Sequence, residues 1–152
     1  MEVKDIVKEA VIIGENASFK DALSMMIHKQ TNSILVTNSD GILVGEVSVS
    51  DLMDAIMPDY LNGDSIAANF ATEEMFEEAV RDAADKKVHD FMSSDVQSVH
   101  MDDGLMAVAA VAIAQQKARI PVVDVDNRPV GIISRRGLKH LIAQFLNITD
   151  SA

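Results

Sequence analysis

Cysteine and tryptophan are absent from this 152-residue sequence, and aromatic residues make up only 4% of it. Without cysteine the chain has no disulfide and no thiolate chemistry. This absence fits a reducing compartment, and we expect a cytoplasmic protein. The few aromatic side chains form no stacking platform with basic residues of the kind that binds single-stranded nucleic acid.

Positive charge is scarce as well. The sequence has 13 lysines and arginines against 24 acidic residues, which gives a formal net charge of −11. A surface this negative repels phosphate backbones and anionic lipid, so we expect no nucleic-acid partner. The apolar run "AVAAVAIA" (107–114) is too short to cross a bilayer, and the N-terminus lacks the pattern of an export signal. We therefore expect neither membrane insertion nor export.

The sequence contains an internal repeat. The stretch "ILVTNSDGILVGEVSVSDLM" (34–53) aligns without a gap with "IPVVDVDNRPVGIISRRGLK" (120–139), at an offset of 86 residues. This alignment pairs Gly45 with Gly131 and Ser48 with Ser134. Two further stretches, "VKDIV" (3–7) and "VHDFM" (88–92), correspond at an offset shorter by one, and we call them the leading segments. Such self-similarity predicts two copies of one structural unit.

Each copy is predicted to begin with a strand, "AVII" (10–13) or "VQSV" (96–99), that is followed by a helix. The first helix covers 18–29, where Ser18 and Asp21 have the spacing of a capping box. Its counterpart at 104–117 is apolar nearly all round and is expected to be buried.

A hairpin and a closing helix complete each copy. The turns "NSDG" and "DVDN" lie between β-branched runs, which is typical of hairpins. The closing helices are predicted at 51–57 and 137–147. The second of these has an apolar face made of Leu138, Leu141, Ile142, Phe145 and Leu146.

An insert, 59–87, separates the copies. Its first part lacks periodicity and is predicted to be a loop, whereas 72–87 is predicted to be a helix that Thr72 caps. The apolar side of that helix is expected to face inward, and its glutamates to form a solvated face. The predicted organisation is a first repeat (1–58), the insert (59–87) and a second repeat (88–152) within one compact module.

These residues resemble a known family. The duplicated β-α-β-β-α pattern, with "GEVSVSD" (45–51) and "RIPVVDVDNRPVGIIS" (119–134), is similar to the CBS domain, named for cystathionine β-synthase, which usually occurs in tandem as a Bateman module. The resemblance implies an α/β (α+β) fold of two pseudo-symmetric repeats packed through their sheets. It also implies a non-catalytic module, often a homodimer, that regulates an enzyme or transporter. Its regulatory ligand would be AMP, ADP, ATP or S-adenosylmethionine, with no obligatory cofactor.

The first strand-to-helix corner, 45–51, carries the main candidate site. Gly45 allows close backbone approach, and Asp51 falls at a helix start, where an ionised carboxylate is favoured. By resemblance, Asp51 would accept hydrogen bonds from both ribose hydroxyls, and Ser48 and Ser50 would donate to a phosphate or ribose oxygen. Serine and aspartate are also preferred helix caps in general, so a purely structural role stays open.

The second corner, "GIISRRG" (131–137), differs in chemistry. Ser134 is kept, but Gly137 stands where the first corner has Asp51. Arg135 and Arg136 add donors suited to phosphate. On the strand that begins the copy, Ser98 supplies a hydroxyl where the first copy has Ile12. We expect this second site to be the weaker one.

The apolar residues that would contact the base by resemblance also suit ordinary core positions. They are Val11, Ile13, Ile34, Ile120 and Pro121.

The sequence offers no catalytic constellation. Its four histidines lie far apart without metal-ligand spacing, and no serine occupies a nucleophile elbow. We therefore expect no enzyme and no metal site. The alternative to a ligand sensor is a dimerisation or protein-interaction module that binds no ligand.

Overall fold

The computed structural model describes residues 2–58, 61, 65–115, 117 and 119–149. The first repeat follows the predicted order with strand β1 (Ile12–Gly14), helix α1 (Phe19–Lys29), strands β2 (Ser33–Thr37) and β3 (Leu43–Ser48), and helix α2 (Val49–Ile56). Helices α3 (Ser65–Asn69) and α4 (Glu73–Ala83) follow in the insert. One 3-10 turn (Val3–Asp5) and helix α5 (Val88–Phe91) lie in the leading segments. The second repeat comprises β4 (Val99–His100), α6 (Leu105–Gln115), β5 (Arg119–Val123), β6 (Pro129–Ser134) and α7 (Arg135–Phe145).

The strands form two three-stranded sheets, in the orders β1-β2-β3 and β4-β5-β6. In each sheet the first two strands are parallel, because a helix connects them, and Ile13 pairs with Val36 as Val99 pairs with Val122. Strands β5 and β6 are antiparallel. The predicted α+β class and the two β-α-β-β-α repeats are therefore confirmed.

Local signals in the sequence produce the caps and turns. The Ser18 hydroxyl accepts from the Asp21 amide at 3.1 Å, and the Asp21 carboxylate accepts from the Ser18 amide at 3.1 Å. The hydrogen bond from the Ser18 backbone is the main reason why the pKa of Asp21 lies below its ordinary value of 3.8. In the hairpins Gly41 has φ of 80° and Asn127 has φ of 63°, the left-handed conformation that these residue types tolerate.

The chain forms two compact units that do not follow the order of the sequence. The first-repeat unit contains 11–39 and 44–94, and the second-repeat unit contains 1–10, 40–43 and 95–152. Each has its own apolar core, centred on buried side chains such as Val36 in the first and Val122 in the second. The first leading segment (3–7) therefore packs in the second-repeat unit, and the second (88–92) packs in the first-repeat unit.

A matched pair of backbone contacts fixes each leading segment. In the first-repeat unit, Ser93 and Glu46 exchange two N–H···O bonds of 2.9 Å. In the second-repeat unit, Lys8 and Ile132 exchange two of 2.8 Å. Ser93 and Lys8 thus have the same place in their units, which confirms that the two leading segments correspond at an offset one residue shorter than that of the strands.

A glycine precedes each of these contacts. A Cβ added to Gly45 would lie 2.6 Å from the Met92 sulfur and 2.9 Å from the Ser93 carbonyl oxygen. A Cβ added to Gly131 would lie 2.7 Å from the Lys8 carbonyl oxygen. The absence of a side chain at Gly45 and Gly131 therefore leaves space for the neighbouring backbone to cross β3 and β6, respectively.

Several expectations about burial are wrong. Val108 is the buried residue of α6, whereas Met106 is 84% exposed and Ile113 is 77% exposed, because the described part of the unit covers one side of the helix. On the closing helix α7, for which the sequence predicts an apolar face without specifying its burial, Leu141 is buried and Ile142, Phe145 and Leu146 are exposed. In α4, Ala83 is buried while Phe76 stays half-exposed.

The predicted bounds in the insert also need correction. The stretch predicted as a loop contains the short helix α3, and positions 59–60 and 62–64 lie outside the described residues. Helix α4 ends at Ala83, earlier than predicted, because Lys86 and Lys87 already belong to the backbone pairing with Phe19 and Ser18.

Replacement of Gly45 by alanine tests the close crossing. The new methyl group meets a backbone oxygen that cannot move alone, so we expect Gly45→Ala to lower the free energy of unfolding by about 1–3 kcal/mol, measured by urea titration. Gly14→Ala is the matched control, because nothing lies within 4 Å of its added Cβ. Equal stability of the two variants would contradict the role assigned to Gly45.

Candidate functional site

The first corner joins the end of β3 to the start of α2. Ser48 is the N-cap of α2, and its hydroxyl accepts from the Asp51 amide at 3.3 Å. In return, Asp51 Oδ2 accepts from the Ser48 amide at 2.8 Å and from the Ser48 hydroxyl at 3.1 Å. This is the reciprocal capping box that the Ser-x-x-Asp spacing favours. The carboxylate is partly buried and lies in the first helical turn, where the helix dipole favours negative charge.

A third side chain, Ser93, completes this arrangement. Its hydroxyl donates to Asp51 Oδ1 at 2.8 Å, across 42 positions of sequence. Sequence reasoning missed Ser93, since nothing in the leading segment indicates that it packs against the other repeat. The alignment with Lys8 was the one available signal, because it places Ser93 directly after "VHDFM".

The other residues predicted at this corner lie in different surroundings. Gly45 is buried, and the backbone that approaches it closely is that of Met92 and Ser93. Ser50 lies exposed in the first turn of α2. The structure thus brings Ser48 and Asp51 into direct contact, while ligand contacts by Gly45 and Ser50 stay predictions.

The second corner keeps the cap but lacks the carboxylate. The Ser134 hydroxyl accepts from the Gly137 amide at 3.0 Å, which is half of the box at the first corner. The residue equivalent to Ser93 is Lys8, which pairs with β6 through its backbone. Both members of the Ser93–Asp51 pair are therefore replaced in the second-repeat unit.

Basic side chains gather at the start of α7. Arg135, Arg136, Lys139 and His140 line an open depression of about 690 Å³. The Arg135 Nε donates to the carbonyl oxygen of Lys117 at 3.0 Å, so this side chain already has a partner in the chain. Ser98 lies in the same unit, directly before β4, and is partly buried. The arrangement offers cationic groups and a helix N-terminus to an anion.

The predicted base-contacting residues lie in or beside the two cores. Ile13 and Ile34 are buried in the first core and Val11 packs against it, whereas Ile120 belongs to the second core and Pro121 is fully buried. Their side chains pack against the protein, and their role toward a base stays a prediction.

Two further features are absent from the described part of the chain. Within those ranges, no helix combines the length and the apolar character that a membrane crossing needs. The same residues contain no group of three or more His, Asp or Glu side chains arranged to hold a metal ion.

The CBS domain sequence profile matches this chain twice, at 3–58 and at 88–144. The matches cover most of the sequence and coincide with the two repeats. The chain belongs to the CBS domain family, as a tandem pair.

Two relatives show the range of similarity. The uncharacterized protein MJ1426 of Methanocaldococcus jannaschii is 28% identical over 149 residues, and the match covers 91% of this chain and 89% of that protein. The chloroplastic protein CBSX2 of Arabidopsis thaliana is 24% identical, with 93% of this chain and 62% of CBSX2 covered. The chain therefore spans less than two thirds of the length of CBSX2.

Solved structures show the same fold. CBSX2 in complex with AMP has a TM-score of 0.70 at 22% identity, covering 95% of this chain and 98% of that one. The CBS domain pair of protein MJ0100, in complex with 5′-methylthioadenosine and S-adenosyl-L-methionine, has a TM-score of 0.68 at 23% identity, with the same shares covered.

Gly137 at the second corner leads to a prediction about stability. A Cβ on Gly137 would have only ordinary contacts, at 3.5–3.8 Å, and alanine favours a helix over glycine. We expect Gly137→Ala to raise the free energy of unfolding by about 0.5–1 kcal/mol in urea titration. Gly131→Ala in the same unit is the control and is expected to destabilise. A clear loss of stability in Gly137→Ala would mean that Gly137 is required structurally.

Proposed function

We propose that this protein is a non-catalytic regulatory module that binds an adenosine-containing ligand at the first corner. The observation that carries the proposal is the Asp51 carboxylate, partly exposed and held at the start of α2 by Ser48, in a chain of the CBS domain family. The similar structures contain AMP in one case and 5′-methylthioadenosine with S-adenosyl-L-methionine in the other. These ligands share adenosine and differ in the group at its 5′ position.

A ribose suits the chemistry of this corner. Its two neighbouring hydroxyls are donors, and an ionised carboxylate presents two acceptor oxygens with the matching separation. The Ser48 hydroxyl can turn from Asp51 toward a ligand oxygen, and the first amides of α2 favour a nearby anion. Asp51 would thus recognise the ribose, and Ser48 together with Ser50 a phosphate or ribose oxygen.

The second corner supports a different and weaker contact. Gly137 cannot bind a ribose hydroxyl through a side chain, whereas Arg135 and Arg136 can bind a phosphate. We include Ser98 and Ser134 in this contact as hydroxyl donors. AMP, ADP or ATP would use it, and a ligand without phosphate would not.

Exposed apolar helix faces support a homodimer. An apolar groove of about 530 Å³ lies between α1, α2 and α4 in the first-repeat unit, and Ile27 and Met53 on its walls are 68% and 50% exposed. In the second-repeat unit, Met106 and Ile113 of α6 are exposed as well. Contiguous apolar surface of this kind marks contact with another protein. The ligand would act on a separate enzyme or transporter through this module.

A protein-interaction module without a ligand is the second candidate. It is favoured by the hydrogen bonds at Asp51, because both carboxylate oxygens already accept donors from within the chain. It is also favoured by the packing of Met92 against Gly45, where a ligand backbone contact was predicted.

Calorimetric titration distinguishes the two candidates. We expect wild-type protein to bind AMP, ATP or S-adenosylmethionine, and Asp51→Asn to lose roughly tenfold or more in affinity. The reason is that a hydrogen bond to a charged group contributes about 1.5–3 kcal/mol. Asp21→Asn is the matched control, because it makes the same substitution in the capping box of α1, which lies in the same unit.

The outcomes separate clearly. Equal affinity of Asp51→Asn and wild type, with both folded, would remove Asp51 from the site. Absence of binding by the wild type to every adenosyl compound would favour the interaction module.

A further inference from the structure

We infer that Ser93 is the positioning residue of this site, which orients the Asp51 carboxylate for a ribose. The inference rests on the proposed function, which it extends to the residue that directly follows the second leading segment. Ser93 lies outside the first corner and contacts Asp51 only because its segment crosses β3.

The hydrogen bonds at Asp51 show how this orientation arises. An ionised carboxylate has about four acceptor positions, two on each oxygen. Three are used within the chain, by the Ser48 amide and the Ser48 hydroxyl on Oδ2 and by the Ser93 hydroxyl on Oδ1. The amide of Ser48 and the hydroxyl of Ser93 are the shorter bonds, both of 2.8 Å.

These bonds leave enough acceptor positions for a ribose after one small movement. When the Ser48 hydroxyl turns toward the ligand, Oδ2 regains one acceptor position and Oδ1 still has one. Two ribose hydroxyls can then bind one oxygen each while the Ser48 amide and the Ser93 hydroxyl keep the carboxylate in place. A side chain held in its binding geometry loses less conformational entropy on binding.

The duplicated unit provides an internal comparison. Lys8 has the same backbone pairing with β6 that Ser93 has with β3, so the two positions are equivalent in three dimensions. In the second-repeat unit, lysine replaces the serine and Gly137 replaces the aspartate. The backbone crossing is kept in both units, whereas the hydroxyl occurs only beside the carboxylate. The hydroxyl is therefore not needed for the crossing itself.

Alanine, threonine and a neighbouring serine give a controlled test. Ser93→Ala removes the hydroxyl, Ser93→Thr keeps it, and Ser94→Ala removes an exposed hydroxyl one position further on. Each variant of the full chain is titrated calorimetrically with AMP and with 2′-deoxy-AMP, and its midpoint of thermal unfolding is measured without ligand.

We expect Ser93→Ala to bind AMP up to roughly tenfold more weakly than wild type, since the carboxylate must then be ordered on binding, at a cost of about 0.5–1.5 kcal/mol. Its preference for AMP over 2′-deoxy-AMP should also shrink, because a misoriented carboxylate no longer distinguishes the two sugars. A general loosening of the fold would instead weaken the binding of AMP and of 2′-deoxy-AMP by the same factor. Ser93→Thr should restore the affinity and the preference, and Ser94→Ala should match wild type.

The possible failures are distinct. If wild type binds AMP and Ser93→Ala keeps both the affinity and the sugar preference, the positioning role is overturned and the proposed function stands. If Ser93→Ala loses both ligands in equal proportion, its role is structural and the inference is overturned. If wild type binds neither nucleotide and no other adenosyl compound, the proposed function fails, and the inference fails with it.

Discussion

The crossing of the second leading segment over β3 is the contact on which the candidate site depends. Two backbone hydrogen bonds between Glu46 and Ser93 hold it, and they form because position 45 has no side chain. The same crossing carries the Ser93 hydroxyl to Asp51. A backbone contact of the fold and a side-chain contact of the proposed site therefore share one short segment. Any change that displaces this segment alters both.

Duplication separates what the fold requires from what one site requires. The glycine, the crossing segment and the serine N-cap occur in both units, so they belong to the architecture. The carboxylate of Asp51 and the hydroxyl of Ser93 occur in the first-repeat unit alone. Two equivalent frames thus differ in chemistry at these two positions, while the backbone crossing is the same in both.

Local features of the structure could be predicted from the sequence, and non-local ones could not. The capping box at Ser18 and the turns at Gly41 and Asn127 depend on neighbours within a few residues, which the sequence displays directly. The contact of Ser93 with Asp51 depends on which unit the leading segment joins, and no local pattern encodes that choice. The burial predicted for α6 failed for a related reason. An apolar sequence indicates that a helix can be buried, whereas exposure depends on which elements cover it.

In the proposed function, the two corners differ in which part of a ligand they recognise. A carboxylate that binds two hydroxyls recognises the ribose by geometry, and this recognition does not depend on the group at the 5′ position. The cationic side chains at the start of α7 can recognise a phosphate by charge, and the overall charge of −11 opposes this. That opposition is limited in range, because salt screens charges beyond about 8–10 Å at physiological ionic strength. In the proposed function, the ribose is thus the part of the ligand that Asp51 is suited to select, whereas a phosphate suits the cationic second corner.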